Sequence, residues 1–181
     1  SIVKHEMDVS AATATLVWLA IEWVQLGKPS VLGAATGSIA GLAAITPASG
    51  FVGPIGALAI GAASAVLCYI FATKLKQRLG YDDSLDVFGV HGVGGFLGTI
   101  LCGVFAAEMF GGNQAGNETY SIMGSVWTQF VGAASAAIYT IIATIVILKL
   151  TQLLVGLRVD ANTETRGLDL TEHEERGYIL H

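Results

Sequence analysis

Polar and apolar positions along this chain fall into long blocks rather than alternating residue by residue. Three blocks contain no Asp, Glu, Lys or Arg, and they cover residues 29–73, 87–107 and 119–148. Because a bilayer requires about 20 apolar residues per helix, the first block is long enough for two spans and each of the others for one. A fifth apolar segment, residues 9–26, is broken only by Glu22 and carries Trp18 and Trp23 as interface anchors. The pattern predicts five membrane-spanning helices.

Turn-forming residues divide these blocks into elements. Two prolines and two glycines between Thr46 and Pro54 end one helix and begin the next. The predicted helices cover residues 9–26, 30–45, 51–77, 84–107 and 122–155, and residues 156–181 form a tail. Asp83 or Ser84 is expected to cap the fourth helix, with Asp86 in its first turn. The predicted fold class is an all-α membrane protein built as a bundle of about five helices.

Composition supports this class and excludes others. The chain of 181 residues is 53% hydrophobic and 13% charged, with a mean hydropathy of +0.65, whereas soluble proteins carry about 25% charged residues. Cys68 and Cys102 lie in apolar segments without metal-binding spacing. We therefore expect no enzyme activity, cofactor, metal site or nucleic-acid partner, and membrane lipid as a permanent neighbour.

The distribution of positive charge predicts the topology. In a five-span arrangement one side carries eight basic residues and the other side carries Lys4 alone. The eight are Lys28, Lys74, Lys76, Arg78, Lys149, Arg158, Arg166 and Arg176. Because basic residues concentrate in cytoplasmic loops, the tail is expected in the cytoplasm and the N-terminal end outside.

Small residues recur at helical spacing and predict close helix contacts. Gly33, Gly37 and Gly41 follow one another every four residues, and Gly94 and Gly98 repeat the spacing on the fourth helix. Small residues let helix backbones approach closely in lipid. We interpret both sets as packing faces, although glycine is also simply common in membrane helices.

His91 is the strongest candidate for chemistry, because an ionisable group within a span is costly and usually faces a cavity or a partner. Helical spacing places it with Val87, Gly95 and Gly98 on one face, which predicts a histidine that lines a space. A neutral histidine bonded to a neighbouring helix is an equally good interpretation. Glu22, near one membrane interface, is expected to be solvated or paired rather than buried.

Two long motifs resemble the ammonium transporter family (Amt/MEP/Rh). They are Gly33-Ala-Ala-Thr-Gly-Ser-Ile-Ala-Gly-Leu-Ala-Ala-Ile-Thr-Pro-Ala-Ser-Gly50 and Asp86-Val-Phe-Gly-Val-His-Gly-Val-Gly-Gly95. The segments Gly156-Leu-Arg-Val159 and Gly167-Leu-Asp169 are similar to the family's tail. The resemblance extends from about Ala11 to Tyr178. It implies that these are the last five of eleven spans, namely the second inverted repeat without its first helix, followed by the long final helix.

The resemblance also implies residue roles. His91 falls on the second histidine of the family's twin-histidine pair, and the first has no counterpart in this chain. Val87 and Ile39 match apolar pore-lining positions. Thr36 stands where relatives usually have Ser near the cytoplasmic mouth, and Asp86 would lie at the same mouth. The expected function is transport of ammonium or ammonia, with methylammonium as an analogue.

For the tail, the resemblance implies contacts between subunits of a homotrimer and docking of a PII signal protein. The matching positions are Arg158, Gly167, Asp169, His173 and Tyr178. Glu174 replaces the small residue that usually follows this histidine. The expected location is the plasma (cell inner) membrane, with the C-terminus in the cytoplasm. Other interpretations are a truncated, non-conducting fragment, a Rhesus-type ammonia channel and an ammonium sensor.

Overall fold

The computed structural model describes residues 2–176, and every regular element in that part of the chain is helical. Five helices are long and apolar enough to cross a membrane, and they cover Val3–Leu26, Val31–Ala48, Pro54–Leu79, Val87–Phe105 and Ile122–Leu154. This confirms the predicted fold class. The chain forms two compact units, Ser1–Ser135 and Ala136–His181, which are described separately below.

The first helix, α1, spans Ile2–Leu26 and therefore begins seven residues earlier than the predicted start at Val9. Its first turns carry Lys4, Glu6 and Asp8, which the sequence pattern had placed outside the span. Glu6 is 1% exposed, and one of its carboxylate oxygens accepts a hydrogen bond from the Gly50 amide at 2.6 Å. A tertiary contact thus holds Glu6 inside the bundle. For this reason the pattern of charged residues predicted the wrong start for α1.

Helix α2 (Val31–Ile45) lies against α1 along a line of glycines. A Cβ atom added at Gly37 would come within 2.7 Å of the Trp18 Cβ, and one at Gly41 within 2.5 Å of the Ser10 carbonyl oxygen. The Ser10 hydroxyl donates to the Gly41 carbonyl at 3.0 Å. The two backbones are therefore close enough that a side chain at these glycines would separate the helices.

The second and third spans are joined by a short 3-10 helix, Thr46–Ala48, and a turn. Helix α3 (Pro54–Tyr69) begins with proline at its first position, where the missing amide costs no helix hydrogen bond. It continues through a π segment, Ile70–Leu75, into the short helix α4 (Lys76–Leu79). The span ends at Gly80, whose φ of 66° is left-handed.

The fourth span consists of a π segment, Val87–Gly92, followed by helix α5 (Val93–Phe105). A Cβ at Gly94 would come 3.3 Å from the Cys68 Sγ, and a Cβ at Gly98 would overlap the Ala44 carbonyl oxygen. These two glycines therefore face α3 and α2. The span is a few residues shorter at each end than the predicted 84–107.

The loop after α5 is folded back onto the same unit. The Asn113 amide donates to the Phe51 carbonyl at 2.9 Å, and its side chain donates to the Gly50 carbonyl at 3.1 Å. The Tyr120 hydroxyl donates to the Gly103 carbonyl at 2.7 Å. A 3-10 turn, Glu108–Phe110, lies within this loop.

The long helix α6 (Ile122–Leu154) begins in the first unit and ends in the second. In the second unit its apolar side chains are exposed, with Leu153 and Leu154 82% and 79% exposed. Two short helices follow, α7 (Ala161–Arg166) and α8 (Leu168–Glu172).

Candidate functional site

A single carboxylate organises the start of the helix that carries His91. Asp83 accepts hydrogen bonds from the amides of Val87 at 2.8 Å, Phe88 at 3.0 Å and Gly89 at 3.3 Å. The first amides of a helix have no partner within the helix, so an aspartate before it satisfies them. This confirms the expected cap at Asp83.

Asp86 does not lie in the first helical turn, contrary to the sequence prediction. Its φ is +53°, in the left-handed region, and its side chain makes no capping hydrogen bond. Its carboxylate instead pairs with the Lys76 ammonium at 2.7 Å. Asp83 already accepts the hydrogen bonds of the first helix amides. The Asp86 side chain points instead toward Lys76 in α4. The two side chains are 27% and 29% exposed, so the pair is open to solvent.

The His91 segment is a π-helix, which the sequence did not reveal. The Val93 amide donates to the Phe88 carbonyl five residues earlier, so this turn contains more residues than an α-turn. A Cβ at Gly89 would lie 3.0 Å from the Ala72 backbone, so Gly89 brings this π segment against the one at Ile70–Leu75. The glycines at 89 and 92 are the only sequence signal of this irregularity. Single π turns in α-helices are frequent at functional sites.

His91 is exposed on the surface of its unit. Within residues 2–176 no hydrogen bond to its ring is found, so in this part of the chain it is not a histidine bonded to a neighbouring helix. A Cβ at Gly95 would meet nothing within 4 Å, which leaves open space one turn beyond His91. The α-helical spacing predicted that Gly98 shares this open face, and that prediction is wrong. Gly98 is buried against Ala44. Gly95 and Gly98 are three residues apart and so about 60° apart around α5, and the packed side of the helix begins between them.

The other residues assigned to the pore also lie outside the core of the unit. Val87 is 54% and Ile39 44% exposed. The Thr36 hydroxyl donates to the Leu32 carbonyl at 2.9 Å, which is its own i−4 carbonyl and the usual partner of a hydroxyl in a helix. Helix α2 contacts the π segment that carries His91, so these groups belong to neighbouring elements.

Glu22 is buried, and the expectation that it is solvated or ion-paired is wrong. It is 7% exposed and accepts hydrogen bonds from the Ser30 amide at 2.7 Å, the Ser30 hydroxyl at 3.2 Å and the Trp18 indole at 3.3 Å. The Ser30 hydroxyl in turn accepts from the Gly33 amide at 2.8 Å. A Cβ at Gly33 would overlap the Glu22 carboxylate. Glycine is therefore needed here because the carboxylate lies against the start of α2.

The second unit holds the tail residues that the sequence singled out. Arg158 forms an ion pair with Glu164 at 3.8 Å. Gly167 has a φ of +93° and separates α7 from α8, and the Asp169 carbonyl accepts from the Glu175 amide at 2.8 Å. His173 is exposed at the end of α8. Tyr178 lies outside the described residues.

In the tail, an acidic side chain caps the short helix α7. Asp160 accepts hydrogen bonds from the Thr163 hydroxyl at 2.7 Å and from the amides of Asn162 at 2.9 Å and Thr163 at 3.1 Å. These bonds lower the pKa of Asp160 below its usual value, with the Thr163 hydroxyl as the largest contributor. Across residues 2–176 no group of three or more His, Cys, Asp or Glu side chains is placed to hold a metal ion.

Five apolar helices of membrane length, with an exposed histidine at an irregular turn of the fourth, define a multi-pass α-helical membrane protein. Residues 8–178 match the model of the Ammonium Transporter Family. The chain belongs to that family.

Individual relatives agree with this assignment. The chain is 40% identical to an ammonium transporter of Bacillus subtilis (strain 168), over 94% of this chain and 42% of that protein. It is 44% identical to an ammonium transporter of Aquifex aeolicus (strain VF5), over 95% of this chain and 40% of that protein. The chain therefore spans about two fifths of the length of these relatives.

Solved structures show the same fold. The crystal structure of Candida albicans Mep2 superposes with a TM-score of 0.75 at 31% identity, over 89% of this chain and 37% of that one. A structure described as a sensor Amt protein superposes with a TM-score of 0.79 at 26% identity, over 94% of this chain and 41% of that one.

Proposed function

We propose that this chain forms the C-terminal part of an ammonium transporter and contributes His91 to its conduction path. The observation that carries the proposal is the state of His91, which is exposed and without a hydrogen-bond partner in the described chain, on a membrane-length helix. A histidine placed in this way is available to a ligand or to a partner from outside the unit.

The physical reason for a histidine concerns the charge of ammonium. Moving an isolated ion of this size into a medium of low dielectric constant costs on the order of 20 kcal/mol, whereas neutral ammonia pays no such charge penalty. Conduction through an apolar path therefore favours deprotonation. A neutral imidazole accepts a hydrogen bond from ammonium or ammonia, and with a second imidazole it can pass a proton. In this proposal the other histidine, the first of the pair, is supplied by the part of the transporter that precedes this chain.

The remaining residues take supporting roles. Val87 and Ile39 provide the apolar wall, and their exposed side chains are free to do so. Thr36 and Asp86 lie toward the cytoplasmic mouth. The packing faces of Gly33, Gly37 and Gly41 on α2, and of Gly94 and Gly98 on α5, hold these groups in place.

The wider assembly belongs to the same proposal. The complete protein is a homotrimer in the plasma membrane, with the C-terminal tail in the cytoplasm, and it is a transporter rather than an enzyme. Arg158, Gly167, Asp169, His173 and Tyr178 form the region for subunit coupling and for a PII signal protein. Exposed apolar side chains along the spans contact lipid or neighbouring helices.

A second candidate follows from the share of the relatives that this chain covers. The chain covers 42% and 40% of the lengths of the two bacterial relatives. The second candidate is therefore a fragment that does not conduct by itself. A signalling role is supported only by the similarity to a structure described as a sensor Amt protein. The experiment below separates these functions.

The test measures uptake of radiolabelled methylammonium into liposomes. One sample contains the chain alone, and a second contains a chimera in which this chain replaces the matching region of the Bacillus subtilis ammonium transporter. We expect saturable uptake by the chimera. His91→Ala should change the rate, or the charge carried per methylammonium, by about tenfold or more, while trimer assembly is retained.

The matched control is His5→Ala, because His5 is an exposed histidine in α1 outside the region that matches the family. It should leave uptake unchanged. A chimera that assembles as a trimer but shows no uptake would reject the proposed function. Uptake by the chimera but not by the chain alone would identify the chain as a part that does not conduct without the remainder.

A further inference from the structure

All of the first four amides of the His91 helix are satisfied from the preceding loop. The Asp83 carboxylate accepts hydrogen bonds from the amides of residues 87, 88 and 89, and the Asp86 carbonyl accepts one from the Val90 amide at 2.8 Å. None of these bonds reaches His91 itself. The two carboxylate oxygens of Asp83 thus accept three of the four hydrogen bonds.

The segment that Asp83 holds is a π turn and not an ordinary α-helical one. In an α-helix each residue is rotated by about 100° from the one before it, since there are 3.6 residues per turn. Converting the π turn into an α-turn would remove one residue from that turn. The residues that precede the π segment would then rotate by roughly that angle relative to α5. The direction of Val87, at the start of the segment, would change more than that of His91, which is close to its end.

Contacts on the other side of the Val87–Gly92 segment also hold it in position. Gly89 lies against Ala72 in the π segment of the third span. The Phe88 ring lies between the rings of Phe71, 6.3 Å away, and Tyr81, 6.0 Å away, and the Tyr81 hydroxyl donates to the Phe71 carbonyl at 3.2 Å. These contacts fix the lateral position of the segment, whereas the Asp83 bonds fix its first turn.

We propose that Asp83 is a positioning residue for conduction: its carboxylate fixes the first turn of the Val87–Gly92 segment and so sets the direction of Val87 and His91. The inference deepens the proposed function and rests on it. Asp83 does not contact the transported molecule in this role. Its effect passes through the backbone that carries the two pore-lining side chains.

A purely structural cap would give a different result from a positioning residue. Loss of a structural cap reduces the amount of folded protein, but each folded molecule conducts as before. Loss of a positioning residue changes the behaviour of each folded molecule. The chain offers a matched control, because Asp160 caps α7 through two backbone amides and a hydroxyl in the same manner but lies in the tail.

The experiment compares Asp83→Ala, Asp83→Asn and Asp160→Ala in the chimera described above. Uptake of methylammonium and the electrical current are each divided by the amount of folded trimer, and hydrogen exchange is measured for the peptide that contains residues 87–92. For Asp83→Ala we expect faster exchange in that peptide and about a tenfold or larger change in uptake per trimer, or in charge per methylammonium. Asp160→Ala should change neither.

Asp83→Asn keeps one side-chain oxygen as an acceptor, so its effect should lie between those of the wild type and Asp83→Ala. If Asp83→Ala does not fold, the Asp83→Asn variant is compared with the wild type instead. Unchanged uptake and charge per folded trimer in the folded variants would overturn the positioning role, even if exchange increased. If the unsubstituted chimera has no uptake, the proposed function fails first and this role fails with it.

Discussion

Glu22 and Ser30 are joined by a 2.7 Å hydrogen bond from the Ser30 amide to a buried carboxylate. The bond links the end of α1 to the start of α2. Ser30 is the N-cap residue of α2, so the Glu22 carboxylate lies at the N-terminal end of that helix. Glu22 therefore acts as a cap supplied by a different helix.

This arrangement predicts a clear order of stability among variants. Glu22→Ala leaves the Ser30 amide and the Trp18 indole without their acceptor, so we expect the free energy of unfolding to fall by about 1–3 kcal/mol. Glu22→Gln retains one acceptor oxygen and should lose less. Thermal unfolding of the purified protein in detergent measures the difference. Glu118→Ala, in an exposed loop, is the control, and an equal loss in that variant would contradict the capping role.

Two glycines on α5 should respond in opposite ways to the same substitution. At Gly98 a Cβ would overlap the Ala44 carbonyl oxygen, a backbone atom, whereas at Gly95 it would meet nothing within 4 Å. We expect Gly98→Ala to destabilise the protein by about 1–3 kcal/mol. Gly95→Ala should be neutral or stabilising by up to about 1 kcal/mol, because alanine favours helix more than glycine. Equal unfolding midpoints would show that α5 can move away from α2 at little cost.

The buried Glu6 side chain should tolerate replacement by an amide better than loss of its oxygen atoms. One oxygen accepts from the Gly50 amide, and the other, Oε1, has no hydrogen-bond partner within residues 2–176. Glu6→Gln keeps an oxygen acceptor for the Gly50 amide, so the unfolding midpoint should change little. Glu6→Ala removes the acceptor and should cost about 1–3 kcal/mol. A Gln variant less stable than the Ala variant would be inconsistent with this account.

The cap of α7 should depend on acid pH. Hydrogen bonds lower the pKa of Asp160 from its usual value of 3.8, so its contribution to α7 is fully present above that value. The contribution is lost as the pH falls through the lowered pKa of the folded state. Amide exchange in Ala161–Arg166, corrected for the intrinsic effect of pH, should therefore become less protected below about pH 4. Asp160→Asn should lack this dependence, and the same acid response in both proteins would exclude Asp160 as its source.

The topology prediction can be tested with reporters. The bias of eight basic residues against one predicts that the turn at Gly80 and the tail lie in the cytoplasm. A reporter inserted after Gly80 should be protected from an external, membrane-impermeant label, and one inserted within residues 111–118 should be accessible. The opposite pattern would show that charge bias does not set the orientation of this chain.

Much of the architecture is determined by the sequence itself, for local reasons. Uncharged blocks of 21 to 45 residues have no alternative to burial in lipid or protein, so the number of spans follows from them. The Asp83 cap also follows locally, because a carboxylate before an apolar helix meets unpaired amides within a few residues. The two long motifs were sufficient to indicate the family.

Only the tertiary structure decided which charged groups are buried and which face of α5 is open. In the sequence, Glu6 and Glu22 cannot be distinguished from solvated carboxylates. They are buried because the amides of Gly50 and Ser30, in another part of the chain, donate hydrogen bonds to them. The 3.6-residue period placed Gly98 on the same face as His91 and Gly95, and only the contact of Gly98 with Ala44 showed that this position is packed. The contact with Ala44, distant in the chain, separates the packed side of α5 at Gly98 from its open side at Gly95.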